Sequence, residues 1–235
     1  MSIHDQDDTG WQLGADAGRQ ISMKLTAVGL PLGKVVEGKL YRGVLTGLND
    51  AFIVSQQIRD ELVKFDVSCS ELIKPLVNEE DVRTWHVENE NRWLILLPDQ
   101  WTKNTFGSGL SESAAWARLE QKYPSIARHL APFAELAQKR TDQGQYWWEL
   151  RPCNYYADYL GPKMFWPEIA NRPRFAIADP GIVGNKTTFM IPGENYYLLG
   201  LLSSRALWFV VSHIAAPFGE RKGILRYLMS AQFIT

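Results

Sequence analysis

This sequence has few of the features that stabilise small secreted proteins. Only two of its 235 residues are cysteine, and Cys69 and Cys153 lack the spacing of a disulfide framework or a zinc site. The first residues, MSIHDQDDTG, are acidic and lack the basic and apolar regions of a signal peptide. These absences argue against a disulfide-rich secreted domain, and we expect a cytoplasmic protein.

Long apolar runs and common catalytic motifs are also missing. The longest candidate for a membrane span, YLLGLLSSRALWFVVSHIAA, is interrupted by two serines, Arg205 and His213. There is no lysine-containing phosphate loop and no GxSxG elbow, and FGSGL lacks the preceding strand of a nucleotide-binding turn. The sequence therefore predicts no membrane partner, no metal or cofactor site and no enzymatic activity from this chain alone.

The chain does have the composition of a packed protein, with 46% hydrophobic residues. Its charge is unevenly distributed, because residues 1–99 hold 10 Lys and Arg against 16 Asp and Glu, whereas residues 100–235 hold 15 against 10. A basic C-terminal half favours a phosphate-rich partner, since each neutralised phosphate releases condensed counterions. Chance segregation of charge is the alternative explanation.

The first hundred residues predict short strands and helices. A helix is indicated around Trp11 to Leu25, and alternation predicts a strand over VVEGKLYRGV. AFIV predicts a buried strand, and SQQIRDELVKF an amphipathic helix with Ser55 as its N-cap.

The same half continues with a short helix and a hairpin. SCSELIKPLV predicts a helix that Pro75 ends, and TWHVENENRWLILLP predicts a β-hairpin turned at ENEN.

The second half changes character. From Ser111 to Arg140 the composition predicts two helices divided at Pro124. Strand-like RFAIAD and TTFMIPG follow, and Tyr196 to Ile214 predicts one long apolar helix. The whole order predicts an α+β fold, a mixed sheet with a helical insertion and a long C-terminal helix.

The segment YRGVLTGLNDAF, residues 41–52, contains two glycines in a shaped loop. Gly43 and Gly47 mark places where the backbone turns or where another backbone comes close. A turn between two strands explains the segment locally. A loop that approaches a ligand or a partner domain, with Arg42, Thr46 and Asn49 as its polar groups, is the functional alternative.

A nuclease site is a further alternative from another functional class. Asp99 after an apolar run, followed by Glu120 and Lys122, matches a loose PD-ExK pattern for Mg²⁺-dependent cleavage. In that site the last two residues lie on a strand, where positions two apart share a face. Here they fall in SAAWARLEQKY, which predicts a helix, so they point in different directions.

Several motifs in order resemble one family. YRGVLTGLNDAF resembles the RGxxTGxNxAF motif of TaqI-like and related class gamma adenine-specific DNA methyltransferases, at the start of their C-terminal specificity domain. Further segments are similar to family motifs in the same order: SELIKPLVNEEDVRTW, RWLILLP, YWWELRPCNYY, PKMFWPEI and YLLGLLSSRALWFVV. Asn78, Glu79 and Ser203 depart from the family pattern.

The resemblance implies a target-recognition domain that reads duplex DNA while a separate domain methylates an adenine rotated out of the helix. That catalytic domain would bind S-adenosylmethionine, and its glycine-rich turn and NPPY motif are not found in this sequence. The expected partners are double-stranded DNA and a methyltransferase domain, in the same chain or another. The whole would be an adenine methyltransferase or a type IIG restriction-modification protein.

The resemblance and side-chain chemistry together give the candidate DNA contacts. Arginine and asparagine can pair with guanine and adenine edges, and lysine and arginine can hold phosphates. The candidates are Arg42, Thr46, Asn49, Arg151, Asn154, Tyr155, Tyr156, Lys163, Arg172, Arg174, Arg221, Lys222 and Arg226. For Trp147 and Trp148 we expect core packing instead.

The domain division expected from these motifs has two parts. Residues 1–30 are interpreted as a lead-in from a methyltransferase domain, and residues 31–235 as the recognition domain, with a helical insert at about 108–141. A protein-interaction module whose aromatic block packs on a partner is a third alternative.

Overall fold

The computed structural model describes residues 16–89, 91–215, 217–221 and 224–228. The described helices are α1 (Asp16–Val28), α2 (Leu32–Val35), α3 (Asn49–Phe52), α4 (Gln56–Phe65), α5 (Trp101–Phe106), α6 (Glu112–Lys122), α7 (Pro124–Leu130), α8 (Ala134–Gln138), α9 (Tyr156–Leu160), α10 (Tyr196–Leu202) and α11 (Arg205–Ile214). The described strands are β1 (Tyr41–Arg42), β2 (Ile53–Ser55), β3 (Ile73–Val77), β4 (Arg92–Ile95), β5 (Lys163–Pro167), β6 (Ile169–Ala170), β7 (Ala176–Ala178), β8 (Val183–Gly184), β9 (Thr188–Pro192), β10 (Pro217–Arg221) and β11 (Ile224–Leu228).

These strands form three sheets. The first has the order β1-β9-β5-β7 and is antiparallel throughout. The second has the order β2-β4-β3-β8, with β3 and β8 parallel, so it is a mixed sheet. The third has the order β10-β11-β6. The predicted α+β class is confirmed.

Strand β5 separates two hydrophobic cores because its side chains alternate between the faces of the sheet. Phe165 packs into the larger core, which also contains residues of the second sheet and of helices α6, α7 and α8. Met164 and Trp166 face the smaller core, together with Leu198 and Leu199 of α10. The first sheet is therefore covered on both faces.

Two helix starts and one helix boundary follow the sequence predictions. Ser55 caps α4, with its Oγ accepting from the amide of Ile58, and Ser111 caps α6 through the amide of Ala114. Pro124 occupies the first turn of α7, where its missing N–H costs no hydrogen bond. All three predictions are confirmed. Each could be made from the sequence because a helix cap or a first-turn proline involves only residues within one helical turn.

The predicted strand over residues 35–44 is wrong for most of its length. Val35 ends α2, and the chain then turns through Glu37 (φ 54°) and Gly38 (φ 74°) before β1 begins. In the AFIV segment, Ala51 and Phe52 lie in α3, and only the end of the segment enters β2. A turn at Gly38 therefore replaces the predicted extended run.

The predicted helix in SCSELIKPLV is also wrong beyond Leu72. Val67–Leu72 forms a 3₁₀ helix, after which β3 runs through Pro75. An extended backbone is the conformation preferred before proline. The following hairpin prediction fails as well, because β4 pairs with β2 and β3, and only an isolated bridge joins Val82 to Val87.

The predicted long C-terminal helix is two helices. α10 ends at Leu202, and Ser204 caps α11 by accepting a hydrogen bond from the amide of Leu207. A serine in this position competes with the helical backbone and favours a new start. The predicted helix at Trp11 begins outside the described residues, and α1 extends beyond its predicted end at Leu25 to Val28.

None of the described helices combines the length and apolarity that crossing a bilayer requires.

Candidate nucleic-acid interface

The glycine loop is shaped by contacts with two other parts of the chain. A Cβ atom at Gly43 would overlap the backbone oxygen of Asn185, so only glycine fits there. Gly47 has φ +68°, and an added Cβ atom there would lie 3.1 Å from Asp142 Cβ and 3.2 Å from Arg140 Cδ. The two glycines thus have structural reasons: one allows a close approach, and the other makes a turn.

Arg42 lies at the start of this loop and is partly exposed. Its Nε donates to the carbonyl of Lys186 at 2.7 Å, and its Nη2 donates to Glu168 Oε1 at 2.7 Å. The Arg42 side chain is still 48% exposed. The guanidinium is therefore oriented by the fold and remains accessible from solvent.

Thr46 and Asn49 contact each other. The Thr46 hydroxyl donates to Asn49 Oδ1 at 2.7 Å, and Thr46 is buried while Asn49 is exposed at the start of α3. Both residues line a small cavity of about 30 Å³, which Lys186 also lines. Thr46 thus orients Asn49, and only Asn49 presents a polar group to solvent.

Arg140, which is not among the predicted site residues, holds the same loop through a backbone carbonyl of that loop. Its guanidinium donates to the carbonyl of Thr46, to that of Trp147 at 2.5 Å and to that of Glu149 at 3.0 Å. It also stacks over the Phe52 ring at 4.6 Å. Burial lowers the pKa of Arg140 to about 10, which leaves it charged at neutral pH. A buried arginine just after a helix, here two residues beyond α8, has no local sequence signal.

The second predicted segment, residues 151–156, lies directly beside the loop. The Tyr155 ring stacks on Tyr41, with 4.1 Å between centroids and 2° between planes. Arg151 faces Asp142 at 3.9 Å, and Asp142 is the residue against which Gly47 packs. The fold therefore joins the two segments on one part of the surface, although about a hundred residues separate them in sequence.

Within this second segment the side chains have different environments. Asn154 is exposed, whereas Tyr156 donates its hydroxyl to the carbonyl of Arg151 at 2.8 Å. Burial raises the pKa of Tyr155, Tyr156 and Tyr159, so these phenols stay protonated. Asn154 and Arg151 are accordingly the groups that this segment offers to a ligand.

The tryptophans of the aromatic block belong to the core, as predicted. Trp147 is 6% exposed and Trp148 is fully buried, with its indole N–H donating to the Thr102 hydroxyl at 2.9 Å.

Two of the predicted phosphate contacts are used within the fold. Lys163 is fully buried and donates to the carbonyls of Asp179 and Ile182, at 3.3 and 2.8 Å. It is not at a surface where a phosphate could reach it, so the structure does not support this assignment. Arg174 is partly buried and donates to the carbonyls of Glu79 and Ile169, at 3.1 and 3.0 Å. The Arg174 guanidinium therefore links the backbone at Glu79 to the backbone at Ile169.

The remaining predicted DNA contacts are Arg172, Arg221, Lys222 and Arg226, and the structure describes the side chain of the first alone. Arg172 is exposed. Arg221 ends β10 and Arg226 lies in β11, but their side chains, and Lys222 altogether, lie outside the described part of the chain.

The turn at residues 185–187 is the basic element that sequence reasoning missed. Lys186 is exposed, accepts the Arg42 hydrogen bond through its carbonyl, and lies beside Asn49 at the small cavity. The Asn185 side chain accepts from both the amide and the hydroxyl of Thr187. An Asn-Lys-Thr sequence between two strands is a turn signal that could have indicated this position.

The residues of the nuclease alternative have separate surroundings. Asp99 accepts from the amide of Gln145, while Glu120 accepts from the indole of Trp116. Lys122 lies over the Tyr123 ring at 5.1 Å, and both Glu120 and Lys122 are on α6, as the helical prediction requires. Among the described residues, no group of three His, Cys, Asp or Glu side chains could hold a metal ion.

Comparisons with known proteins give a likeness in structure only. No family model matches the sequence, and no curated protein matches it. The type IIL restriction-modification enzyme MmeI, solved in complex with DNA, aligns over 88% of this chain and 24% of its own, with a TM-score of 0.52 and 16% identity. The type IIG restriction endonuclease BpuSI aligns over the same shares, with a TM-score of 0.45 and 15% identity. The chain thus spans about a quarter of the length of these enzymes, and it shares its fold with a part of MmeI.

Proposed function

We propose that this chain is a DNA target-recognition module of a type II restriction-modification protein. In this proposal it binds duplex DNA and selects the sequence. A methyltransferase domain, in the same polypeptide or a separate one, would bind S-adenosylmethionine and modify an adenine. The resemblance to TaqI-like specificity domains and the fold shared with part of MmeI both support this assignment.

One observation carries the proposal: the stacking of Tyr41 on Tyr155 joins the two segments that the resemblance marks as DNA contacts. The same two segments and the neighbouring turn carry the accessible guanidinium of Arg42, the exposed Lys186 and the exposed amides of Asn49 and Asn154. Cations that hold phosphates stand next to amides that can pair with base edges, which is the combination that sequence-specific DNA binding needs.

The roles within this set follow from side-chain chemistry. Arg42 and Lys186 hold phosphates, since both are exposed cations on neighbouring backbone. Asn49, Arg151 and Asn154 read base edges. Each paired contact of this kind is worth about 1 to 3 kcal/mol of discrimination against the wrong base.

The experiment is selection of bound duplexes from a randomised library by the 235-residue chain. We expect one enriched sequence, with affinity for it falling steeply as salt increases. Substitution of Arg42 or Lys186 by alanine should weaken binding to all duplexes and reduce the salt slope by about 1 each. Asn154→Ala should instead change the preference at one position of the enriched sequence. Absence of both enrichment and salt-dependent binding would overturn the proposal.

A further inference from the structure

Trp85 combines exposure with an uncommon backbone conformation. Its side chain is 65% exposed, and it is the only exposed tryptophan among those that the structure describes. Its φ is +78°, in the left-handed region that large L-residues rarely adopt. Glycine would adopt this backbone conformation without strain. The presence of a large exposed side chain at a strained position suggests that the side chain has a function of its own.

The backbone around Trp85 is held by its neighbours. The amide of Trp85 donates to the carbonyl of Phe175 at 2.8 Å, and Trp85 forms an isolated β-bridge with Ala176. The amide of Arg83 donates to the carbonyl of His86 at 3.0 Å and closes the turn. The exposed indole therefore projects from a backbone turn that hydrogen bonds hold in place. We call residues 83–86, together with the adjoining residues 175–176, the platform.

Arginine and glutamate side chains both lie near Arg174, one residue before the Phe175 carbonyl to which the Trp85 amide donates. Burial lowers the pKa of Arg174, and the positive charges of Arg172 and Arg83 add to this effect, so the three guanidinium groups lie within electrostatic range of one another. Arg83 is paired with Glu88 at 2.9 Å. Glu79 and Glu80 oppose the effect on Arg174. Arg172 is exposed, and within the described residues no ion pair neutralises it.

Direct contacts connect this platform with the candidate DNA interface. Arg174, one residue before Phe175, donates to the carbonyls of Glu79 and Ile169. The amide of Glu79 donates to the Thr187 hydroxyl, next to the exposed Lys186. Hydrogen bonds through Arg174 and Glu79 thus join the backbone turn at Trp85 to the turn that carries Lys186.

We propose that Trp85 stacks on a base of the bound DNA, with Arg172 contacting a phosphate next to it. This inference rests on the proposed function, because it names a further contact of the same interface. An indole offers a flat π-face, and every base can stack on it whatever its identity. Trp85 would then contribute affinity and hold a distorted base step, while Asn49, Arg151 and Asn154 determine the sequence.

The test compares variants of the 235-residue chain on the duplex that the wild-type chain enriches. Trp85→Ala should weaken binding about 10-fold without changing the salt slope, because stacking releases no counterions. Trp85→Phe should recover most of the lost affinity. Arg172→Ala should reduce the salt slope by about 1. Tyr197→Ala, which removes an aromatic side chain that is 78% exposed on α10, is the matched control and should bind as the wild type does.

Two further measurements separate binding from folding. Trp85→Gly relieves the positive φ, so it should keep or raise the unfolding midpoint while losing the same affinity as Trp85→Ala. DNA should quench the tryptophan emission of the wild type more than that of Trp85→Phe. Wild-type affinity in Trp85→Ala, or a loss that phenylalanine does not recover, would overturn the inference and leave the proposed function standing. A wild-type chain that binds no DNA would overturn both.

Discussion

The carboxylate of Glu168 accepts a hydrogen bond from the guanidinium of Arg42, with 2.7 Å between Oε1 and Nη2. The side chains are 23% and 48% exposed, so the pair contributes at most about 1 kcal/mol to stability. Its larger effect concerns charge: the carboxylate offsets the arginine that we assign to a phosphate. Glu168 therefore orients Arg42 and at the same time limits its attraction for DNA.

This pairing predicts the effect of Glu168→Gln. The amide can still accept from Arg42 but no longer neutralises it, so binding to duplex DNA at low salt should tighten about threefold. Glu135→Gln is the control with the same change of charge, because Glu135 of α8 pairs with Lys139, the residue that follows this helix. Titration of both variants by fluorescence anisotropy checks the prediction, and equal effects would show that only net charge matters.

The close approach of Gly43 to Asn185 predicts the effect of a single methyl group. Gly43→Ala should destabilise the fold by about 2 kcal/mol or more, because the added Cβ overlaps the backbone oxygen of Asn185. Gly200→Ala is the matched control, since Gly200 lies in α10 with open space at its Cβ position. That variant should be stabilised by about 0.5 to 1 kcal/mol. Urea unfolding measures both, and a Gly43→Ala variant as stable as Gly200→Ala would contradict the packing.

The buried guanidinium of Arg140 predicts a large loss on Arg140→Met. Methionine fills similar space but donates nothing, so four carbonyls, those of Thr46, Ala137, Trp147 and Glu149, lose a charged donor, at a cost of about 3 kcal/mol. Arg118→Met is the control, because Arg118 is exposed and donates to a single carbonyl, that of Phe106. Chemical unfolding should separate the two variants clearly. Similar midpoints would mean that Arg140 does not support the loop.

Lys163 predicts how stability changes in mildly alkaline solution. Burial lowers its pKa from 10.5 to about 8, so between these values the unfolded chain binds a proton that the folded chain has released. This group therefore makes the folded state more stable as pH rises from about 8 to 10.5. The free energy of unfolding of the wild type should rise relative to that of Lys163→Met over this range. A constant difference between the two would contradict the lowered pKa.

The sequence was informative where a structural feature depends on neighbouring residues. Ser55 and Ser111 identified helix starts because a hydroxyl caps an amide three residues away. The prediction at Pro75 was wrong because the conformation there depends on a distant part of the chain. Pro75 was interpreted as the end of a helix, but β3 continues through it, since pairing with β4 is decided by a strand about twenty residues further along.

The candidate site shows the same division. Arg42 and Asn49 were predicted to be DNA contacts from the glycine loop and the family resemblance, and both are accessible at the surface. Lys163 was named by the same reasoning, yet it is buried among carbonyls, because the side of a strand that a residue faces depends on the whole sheet. Arg140 was not identified at all, since its partners lie in two segments that only the fold brings together.

The loop at residues 41–52 is clamped from beneath, by Asn185 against Gly43 and by Arg140 at Thr46. Contacts with Asn185 and Arg140 thus hold its main-chain path from the side opposite to the exposed Asn49 side chain. In the proposed module, exchange of an outward side chain that would read base edges, such as that of Asn49, should change the selected sequence while the contacts beneath the loop stay constant. Mutational libraries for altered specificity should accordingly vary the exposed positions and keep Gly43 and Arg140 unchanged.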